Sequence, residues 1–447
     1  MIHNQISRRR MLAGLGATSL LARFGWMNAL AQSSQPDYKA LVCIFLAGGN
    51  DGHNTVVPLT QSEFNSYKSA RGSLALPDSN GPLLQIQTPD GTPFGLNNGL
   101  SAIQPLWAQG QLAVLANAGM LVQPVTRAEY LANQVKVPTN LFSHSDQVQQ
   151  MQSGIPSTSG GTGWGGRAAD QLQALNGAST FPAAVSIAGP ALFCTGNVVQ
   201  SAALLPGFNL DVSGMQLWPQ AAADARKLGL QQVIQLNSGL SLVQAANQAR
   251  KDALDLNALL SGSSANLNTV FPGTSIGIQL QQVAKVIKLR GTTGMSRQVF
   301  LCSISGFDTH GSQSWQQWDL LRQVSEALLA FYQATVEMQI PDRVTSFTLS
   351  DFGRTLQPSG TGTDHGWGNH HLILGGAVKG GAMYGAFPSM ALGGQDDSGT
   401  RGALIPSVST EQYGATLAAW LGVPAAQMGS VFANIGNFAN ADLGFMG

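Results

Sequence analysis

The chain has 447 residues, enough for one large α/β domain that carries insertions. Its formal net charge is zero and only 10% of its residues are charged, so it offers no basic face for nucleic acid and we expect no such partner. Three cysteines, Cys43, Cys194 and Cys302, cannot all pair, and no Cys-x-x-Cys occurs, which argues against a disulfide framework and a cysteine zinc site.

The N-terminal segment has the order of a bacterial export signal. Residues 7–12 read Ser-Arg-Arg-Arg-Met-Leu and precede a short, moderately apolar stretch, which resembles a twin-arginine signal peptide. Ala29 and Ala31 supply the small residues that a signal peptidase requires. The apolar run is shorter than the ~20 residues that span a bilayer. We therefore predict a signal peptide over 1–31, the twin-arginine translocation machinery as a partner, and a periplasmic or secreted product without stable membrane insertion.

Short, continuous apolar runs predict buried parallel strands in the mature chain. The strongest are residues 40–47, 299–304 and 344–349, and residues 112–116 and 184–187 are weaker candidates. Helices are predicted from apolar residues spaced three or four apart, at Leu280, Val283 and Ile287 and at Trp318, Leu321, Val324, Leu328 and Phe331. Strand, helix and strand in this order form a right-handed crossover. The fold class is therefore α/β, with a layered, mainly parallel sheet flanked by helices.

The range 153–275 interrupts this strand and helix pattern. It contains Gly/Ser-rich patches and predicted helical stretches over 221–234 and 240–260. We interpret it as a helical and irregular insertion or cap on a single domain that spans residues 32–447.

The histidines are concentrated beside aspartates. Beyond His3, all six lie in four segments: Asp51-Gly52-His53, His144-Ser145-Asp146, Asp308-Thr309-His310, and Asp364-His365 with His370-His371. Asp51, Asp308 and Asp351 each follow one of the three strongest strands, and parallel sheets place ligand sites at that edge. A divalent cation would offset the repulsion between carboxylates gathered there. Mixed Asp and His ligands favour zinc, manganese or iron over calcium or magnesium, and we expect zinc or manganese. An Asx turn is the alternative for any single aspartate.

Four motifs carry a family resemblance: FLAGGNDGHNTVVP (residues 45–58), FDTHG (307–311), SDFGRT (350–355) and TDHGWGNHHLILGGAVKGG (363–381). Together they resemble the bacterial domain-of-unknown-function family 1501, which is itself similar to the alkaline phosphatase and sulfatase superfamily. The resemblance implies an alkaline phosphatase-like fold that holds one or two divalent ions. The ligands that it implies are Asp51, Asp308, His310, Asp351 and His365.

Two registers of this resemblance remain open. If SDFGRT matches the Asp-His-Gly strand end of the superfamily, Phe352 stands where a histidine ligand is expected. If TDHG matches it, Asp364 and His365 form the ligand pair, and His370 or His371 completes the site.

The superfamily hydrolyses phosphate or sulfate esters through a Ser, Thr or modified Cys nucleophile. The sulfatase-type Cys-x-Pro-x-Arg is absent, so the candidate nucleophiles are Ser143, Ser145 and Thr55. His144 can serve as a general acid or as a metal ligand, and Arg354 can grip an anionic oxygen or form a structural salt bridge with a ligand carboxylate. The sequence thus predicts an exported metal-dependent hydrolase of a small anionic ester, a phosphate or a related one. The alternative is a non-catalytic exported binding or assembly protein that keeps the fold and one metal.

Overall fold

The computed structural model describes residues 37–447 except 158–160, 205, 207–216, 237–238, 242, 245, 249, 252–253 and 255–264. The predicted signal peptide, residues 1–31, lies outside the described residues. Within the described part of the chain, no helix combines the length and the apolar character needed to cross a bilayer.

Strands occur along the whole described chain. They are β1 (Lys39–Ala47), β2 (Val56–Pro58), β3 (Leu84–Gln87), β4 (Pro93–Leu96), β5 (Leu112–Gly119), β6 (Ala184–Ser186), β7 (Ala202–Ala203), β8 (Arg297–Ser305), β9 (Val344–Ser350), β10 (Arg354–Ser359), β11 (Gly362–His365), β12 (Asn369–Leu374), β13 (Met383–Tyr384) and β14 (Val408–Ser409). The three strongest predicted strands are confirmed as β1, β8 and β9, and the weaker two as β5 and β6.

The helices are α1 (Gln61–Arg71), α2 (Pro105–Ala108), α3 (Arg127–Leu131), α4 (His144–Ser153), α5 (Trp164–Gln171), α6 (Gln220–Gln235), α7 (Ser275–Lys288), α8 (Arg290–Thr293), α9 (Gln313–Glu337), α10 (Thr410–Leu421) and α11 (Met428–Val431). The two predicted apolar faces are those of α7 and α9. Leu280, Val283 and Ile287 of α7 are completely buried, because this face of the helix packs into the core.

One nine-stranded sheet forms the centre of the described chain, in the order β13-β5-β12-β9-β1-β8-β6-β7, with β14 also paired to β5. From β7 to β9 all neighbouring strands are parallel, and β12 is antiparallel to both β9 and β5. These strands are apolar on both faces because helices cover the sheet, which is typical of parallel α/β layers. The predicted layered α/β architecture is confirmed.

The register of the three central strands fixes where their loops meet. Leu46 of β1 lies opposite Ser350 of β9, and Ala47 lies opposite Ser305 of β8. The three strands therefore end at one level of the sheet, and the segments that follow them emerge side by side.

The range 153–275 is partly integral to the sheet. β6 pairs with β8 and β7 pairs with β6, so these strands extend the central sheet at one edge. The first predicted helix of this range is present as α6, and most of the second, 240–260, lies outside the described residues. The interpretation of the rest of this range as an inserted cap stays a prediction.

The three cysteines are free and buried, as expected for core thiols. Burial raises the pKa of Cys43, Cys194 and Cys302, because the thiolate would lose its hydration in the apolar interior. These thiols are therefore poor nucleophiles in the folded protein.

Candidate metal site

One carboxylate oxygen at the carboxyl edge of the sheet is surrounded by three imidazoles. Oδ1 of Asp308 lies 2.9 Å from Nε2 of His310, 3.4 Å from Nε2 of His144 and 3.5 Å from Nε2 of His365. Donor atoms of Asp308, His144 and His365 lie within 4.8 Å of one another, a spacing at which they can share one metal ion. We call these four residues the histidine cluster.

The other ring nitrogen of each histidine faces an oxygen. Nδ1 of His365 lies 2.6 Å from the carbonyl oxygen of Phe142, and Nδ1 of His144 lies 2.7 Å from Oδ2 of Asp351. Carbonyl and carboxylate oxygens accept hydrogen bonds, so in both rings Nδ1 carries the proton and donates it. His310 has a carboxylate oxygen near each ring nitrogen, because Nε2 lies 2.9 Å from Oδ1 of Asp308 and Nδ1 lies 3.5 Å from Oδ1 of Asp364. The tautomer of His144 and His365 leaves a lone pair on each of their Nε2 atoms, which is how metal-binding histidines are commonly held.

The cluster fits a divalent cation. Nε2 of His310 and Nε2 of His365 are 3.1 Å apart, so the lone pair of His365 faces either a proton on Nε2 of His310 or a shared cation. Nε2 of His144 has no hydrogen-bond partner among the described residues. The imidazole nitrogens of His144 and His365 and the carboxylate oxygen of Asp308 form a mixed donor set of a kind that holds divalent cations.

The histidine cluster is open to solvent on one side. The side chains are 33% exposed for His144, 46% for Asp308, 47% for His310 and 24% for His365. Structural metal sites are closed, whereas catalytic sites keep a position for water or substrate. The exposure therefore leaves room for a small ligand.

Electrostatics favour the charged carboxylate. Partial burial acts to raise the pKa of Asp308, but a hydrogen bond from Arg354 and the nearby charges of His310 and Arg354 outweigh it and lower that pKa below its usual value. Burial lowers the pKa of His365. Both directions favour the forms that bind a metal, an ionised Asp308 and a neutral His365.

Two unusual backbone conformations bring these groups together. Gly48 has φ of +116°, and a side chain there would collide with the backbone nitrogen of Asp308, so only glycine fits. Its N–H donates to Oδ1 of Asp351 at 3.0 Å. Phe142 has φ of 71°, a strained value for an aromatic residue, and in this conformation its carbonyl oxygen accepts from His365.

Two predicted ligands, Asp351 and Asp364, each contact a histidine of the cluster from outside it. Asp351 is buried and binds His144 and the backbone of Gly48. Asp364 lies between His310 and Arg401, whose Nη1 is 2.6 Å from Oδ2 of Asp364. Both carboxylates contact a histidine of the cluster, and in this arrangement they orient the imidazoles from outside.

Asp351→Asn tests this outer role. We expect metal affinity to fall by about 10–100-fold, the usual cost of losing a carboxylate that holds a ligating histidine. Competition titration with a metal-binding dye measures the affinity. Asp364→Asn is the matched control, because its distance to the imidazole is longer and we expect a smaller loss. A loss in Asp351→Asn as large as that in a variant of Asp308 would mean that Asp351 binds the metal itself.

Asp51 lies apart from the cluster. Its Oδ2 contacts Nη2 of Arg71 and accepts from Nε2 of Gln313, and its Oδ1 accepts from the backbone N–H of Asn54. Asp51 and Arg71 both have completely buried side chains. Burial acts to raise the pKa of Asp51, but the charges of Arg71 and His53 and the hydrogen bonds from Arg71 and Gln313 together outweigh it and lower that pKa. Both oxygens of the predicted first ligand are thus engaged by protein donors.

Arg354 is a structural partner of the cluster in this arrangement. Its side chain is fully buried, and Nη1 donates to Oδ1 of Asp308 and to the carbonyl oxygen of Gly48, each at 3.1 Å. Nε and Nη2 donate to Oγ1 and the carbonyl oxygen of Thr363. Of the two roles expected for this residue, the contacts fit the salt bridge with a ligand carboxylate.

The candidate nucleophiles differ in accessibility. Ser143 precedes α4, and its Oγ donates to Oδ2 of Asp146 at 2.5 Å. Ser145 is exposed, and its Oγ lies 3.1 Å from that of Ser143. Thr55 is buried, with Oγ1 donating to the carbonyl oxygen of Asp51, so it cannot reach a substrate. Nε2 of His144 lies 3.4 Å from Oδ1 of Asp308, which fits the metal-ligand alternative for this residue.

Phe352 lines the cluster where one register expects a histidine. Its ring centroid lies 4.7 Å from those of His144 and His365. His370 and His371 are buried in β12, and Nδ1 of His370 accepts from the backbone N–H of Asn117 at 3.0 Å. Neither of these two histidines contacts the cluster, so within the described residues they do not complete it.

The buried histidines predict acid sensitivity. Burial lowers the pKa of His371 to about 3, and both its ring nitrogens lack a hydrogen-bond partner among the described residues. The unfolded chain binds a proton near pH 6.5 and the folded chain does not, so this contribution to stability is lost as pH falls from about 6.5 towards 3. Between pH 8 and pH 4.5, the free energy of unfolding should therefore fall by about 2–3 kcal/mol less in His371→Phe than in the unaltered chain.

Urea unfolding of the metal-free proteins at both pH values measures this difference. Burial also lowers the pKa of His53 to about 4, so some acid sensitivity remains in the variant. An unchanged pH dependence in His371→Phe would contradict the assignment of a neutral buried imidazole.

Several contacts of the site had no signal in the sequence. No motif or spacing marks Arg71, Gln313 or Thr363 as part of the site. Arg401 lies in a loop and is likewise not distinguished from other arginines. Phe142 contributes only a backbone carbonyl, which no residue type predicts. The sequence did predict His144 at the site, as a general acid or a metal ligand, because it shares its segment with an aspartate.

Fold and site together define an α/β protein with an open cluster of three histidines and one aspartate at the carboxyl edge of a mainly parallel sheet. A family model described as "Protein of unknown function (DUF1501)" matches residues 38–406. The chain belongs to this family, as the four motifs indicate. No curated protein matches the chain significantly.

Solved structures with distant similarity include three enzymes. The lipoteichoic acid synthase LtaP from Listeria monocytogenes has a TM-score of 0.36 and 9% identity, over 89% of this chain and 78% of that chain. The PsFucS1 sulfatase from Pseudoalteromonas sp. has a TM-score of 0.32 and 10% identity, over 81% and 69%. A mutant of the alkaline phosphatase PafA has a TM-score of 0.28 and 13% identity, over 72% and 64%.

Proposed function

We propose that this protein is an exported hydrolase that uses one divalent cation, zinc or manganese, to cleave a phosphate or a related ester. His144, Asp308, His310 and His365 would hold the cation. The observation that carries this proposal is the shared orientation of the three histidines, whose Nε2 atoms face one oxygen of Asp308.

The protein groups around the cluster have separable roles in this proposal. Asp351 and the carbonyl of Phe142 fix the tautomers of His144 and His365, and Phe352 excludes water from one side of the two rings. The exposed side admits a small anionic ester. When bound, a divalent cation polarises the ester and lowers the pKa of water to near neutrality.

Turnover of an aryl phosphate with and without metal tests the proposal. We expect activity in protein loaded with zinc or manganese, loss on chelation and recovery when metal is restored. One equivalent of metal per chain is expected from elemental analysis. Inactivity with every divalent metal and every ester class tried would refute the hydrolase.

Ser143→Ala separates attack by water from attack by the serine. Because the hydroxyl of Ser143 is engaged by Asp146, we expect turnover to fall by less than about 10-fold, compared with about 10⁶-fold when a true nucleophile is removed. A loss of the larger size would assign the nucleophile to Ser143.

A non-catalytic exported binding or assembly protein is the second candidate. The full engagement of Arg354 by protein acceptors favours it, because a hydrolase of anionic esters commonly offers a free guanidinium. Metal-dependent melting without turnover of any ester would support this candidate.

Export by the twin-arginine route rests on residues 7–31 of the sequence. We expect a mature periplasmic or secreted form that begins near Gln32. N-terminal sequencing of fractionated cells tests this, and an unprocessed cytoplasmic chain would contradict it.

A further inference from the structure

A continuous line of buried hydrogen bonds leads from the Arg71–Asp51 ion pair towards the histidine cluster. Nε2 of Gln313 donates to Oδ2 of Asp51, and Oε1 of Gln313 accepts from Oγ1 of Thr363 at 2.6 Å. Arg71, Gln313 and Thr363 are completely buried. Polar groups in such a position require partners, so these contacts are well defined.

The same line of hydrogen bonds ends on the carboxylate of Asp308, the proposed metal ligand. Nε of Arg354 donates to Oγ1 of Thr363 at 2.9 Å, and Nη1 of Arg354 donates to Oδ1 of Asp308 at 3.1 Å. The side chain of Asp308 is 46% exposed, and contacts with solvent would not hold its carboxylate in one orientation. Arg354 supplies the buried contact that holds it.

The carboxylate of Asp51 fixes which group donates and which accepts in each hydrogen bond of this line. The carboxylate of Asp51 can only accept, so the amide nitrogen of Gln313 must face it and the amide oxygen must face Thr363. The hydroxyl of Thr363 donates its single proton to that oxygen, and it therefore accepts a hydrogen bond from Arg354. If the amide of Gln313 were flipped, its oxygen would face the carboxylate of Asp51, and two acceptor oxygens at that distance repel. The guanidinium is thereby held in one orientation.

We propose that Gln313 and Thr363 are positioning residues that orient Arg354 and, through it, Asp308 for cation binding. This inference rests on the metal dependence in the proposed function. It also gives Asp51 a role at the site without direct contact to the cation.

Thr363 is the point at which the line can be cut with the least change in shape. Thr363→Val removes both hydrogen bonds of the hydroxyl, whereas Thr363→Ser keeps the hydroxyl. Thr345 is the matched control, because it is completely buried in β9 and its Oγ1 has no partner among the described residues. Thr345→Val therefore makes the same chemical change without cutting a hydrogen bond.

Cobalt and zinc affinities, measured by competition on the metal-free chains, test the proposal together with the absorption spectrum of the cobalt-loaded forms. We expect Thr363→Val to lose about 10–100-fold in affinity, as when a group that supports a ligand is removed. Its cobalt spectrum should change, while Thr363→Ser and Thr345→Val match the unaltered chain.

Equal affinities and spectra in Thr363→Val and the unaltered chain would overturn the positioning role while leaving the metal site intact. Failure of the unaltered chain to bind any divalent cation would overturn the proposed function and the positioning role together. If Thr363→Val does not fold without metal, Gln313→Met is measured by the same criteria. Equal losses in Thr363→Val and Thr345→Val would show a general packing effect and count against the proposal.

Discussion

Asp308→Asn should leave a folded protein that, under the proposed function, binds a divalent cation far more weakly than the unaltered chain does. We expect a loss of affinity beyond the ~10–100-fold that follows removal of an outer partner. The carboxylate oxygen of Asp308 is the single negative atom that faces all three Nε2 atoms, and the amide that replaces it carries no charge. The amide oxygen can still accept from Arg354, so the buried guanidinium keeps a partner.

Elemental analysis and competition titration measure the effect, with turnover of an aryl phosphate as a second readout. Asp319→Asn is the matched control, because Asp319 is a partly exposed carboxylate that accepts from Arg322 at 2.6 Å on α9, and no contact joins it to the cluster among the described residues. We expect the control to bind metal normally. An affinity of Asp308→Asn close to that of the control would refute the histidine cluster as the metal site.

Asp51→Ala should produce the largest loss of stability in the set. The variant leaves the guanidinium of Arg71 buried without a counter-charge, and breaking a buried ion pair from one side costs about 3–5 kcal/mol. Arg71 cannot escape to solvent, since it also donates to Asn54 and to the carbonyl oxygens of Thr355 and Leu356. We expect the free energy of unfolding to fall by that amount in the metal-free protein.

Urea unfolding measures this loss, and Asp37→Ala is the control. Asp37 pairs with Arg297 but is 72% exposed, so its removal should cost about 0–1 kcal/mol. The metal affinity of folded Asp51→Ala should fall less than that of Asp308→Asn, because Asp51 acts only through Gln313. The reverse order, a stable protein that has lost its metal, would make Asp51 a direct ligand.

These two aspartates look alike in the sequence, since each follows a strong apolar strand and each precedes a histidine by two residues. Their surroundings separate them. The segment after Asp51 turns into a short helix and meets Arg71, whereas the segment after Asp308 remains at the open edge of the sheet among the imidazoles. The spacing of residues contains no information about which carboxylate a distant arginine will reach.

Phe352 illustrates a related point. In one register of the family resemblance, this residue stands where a histidine ligand is expected. In the fold the ring packs on His144 and His365, so the position contributes to a single cluster as an apolar wall. His144 is the first residue of α4, so it enters the cluster from a part of the chain that the strand pattern does not involve.

The sequence by itself determined the family, the α/β class, the three central strands and the edge of the sheet at which aspartates and histidines gather. These follow from apolar periodicity, strand order and short motifs, which are local properties of the chain. Only the tertiary structure decided that Asp308, His310, His365 and His144 face one another while Asp51, Asp351 and Asp364 bind protein partners. Side-chain direction and partner choice depend on contacts between residues hundreds of positions apart, such as Asp308 with His144 and Asp51 with Gln313, and these contacts form only when the strands are assembled.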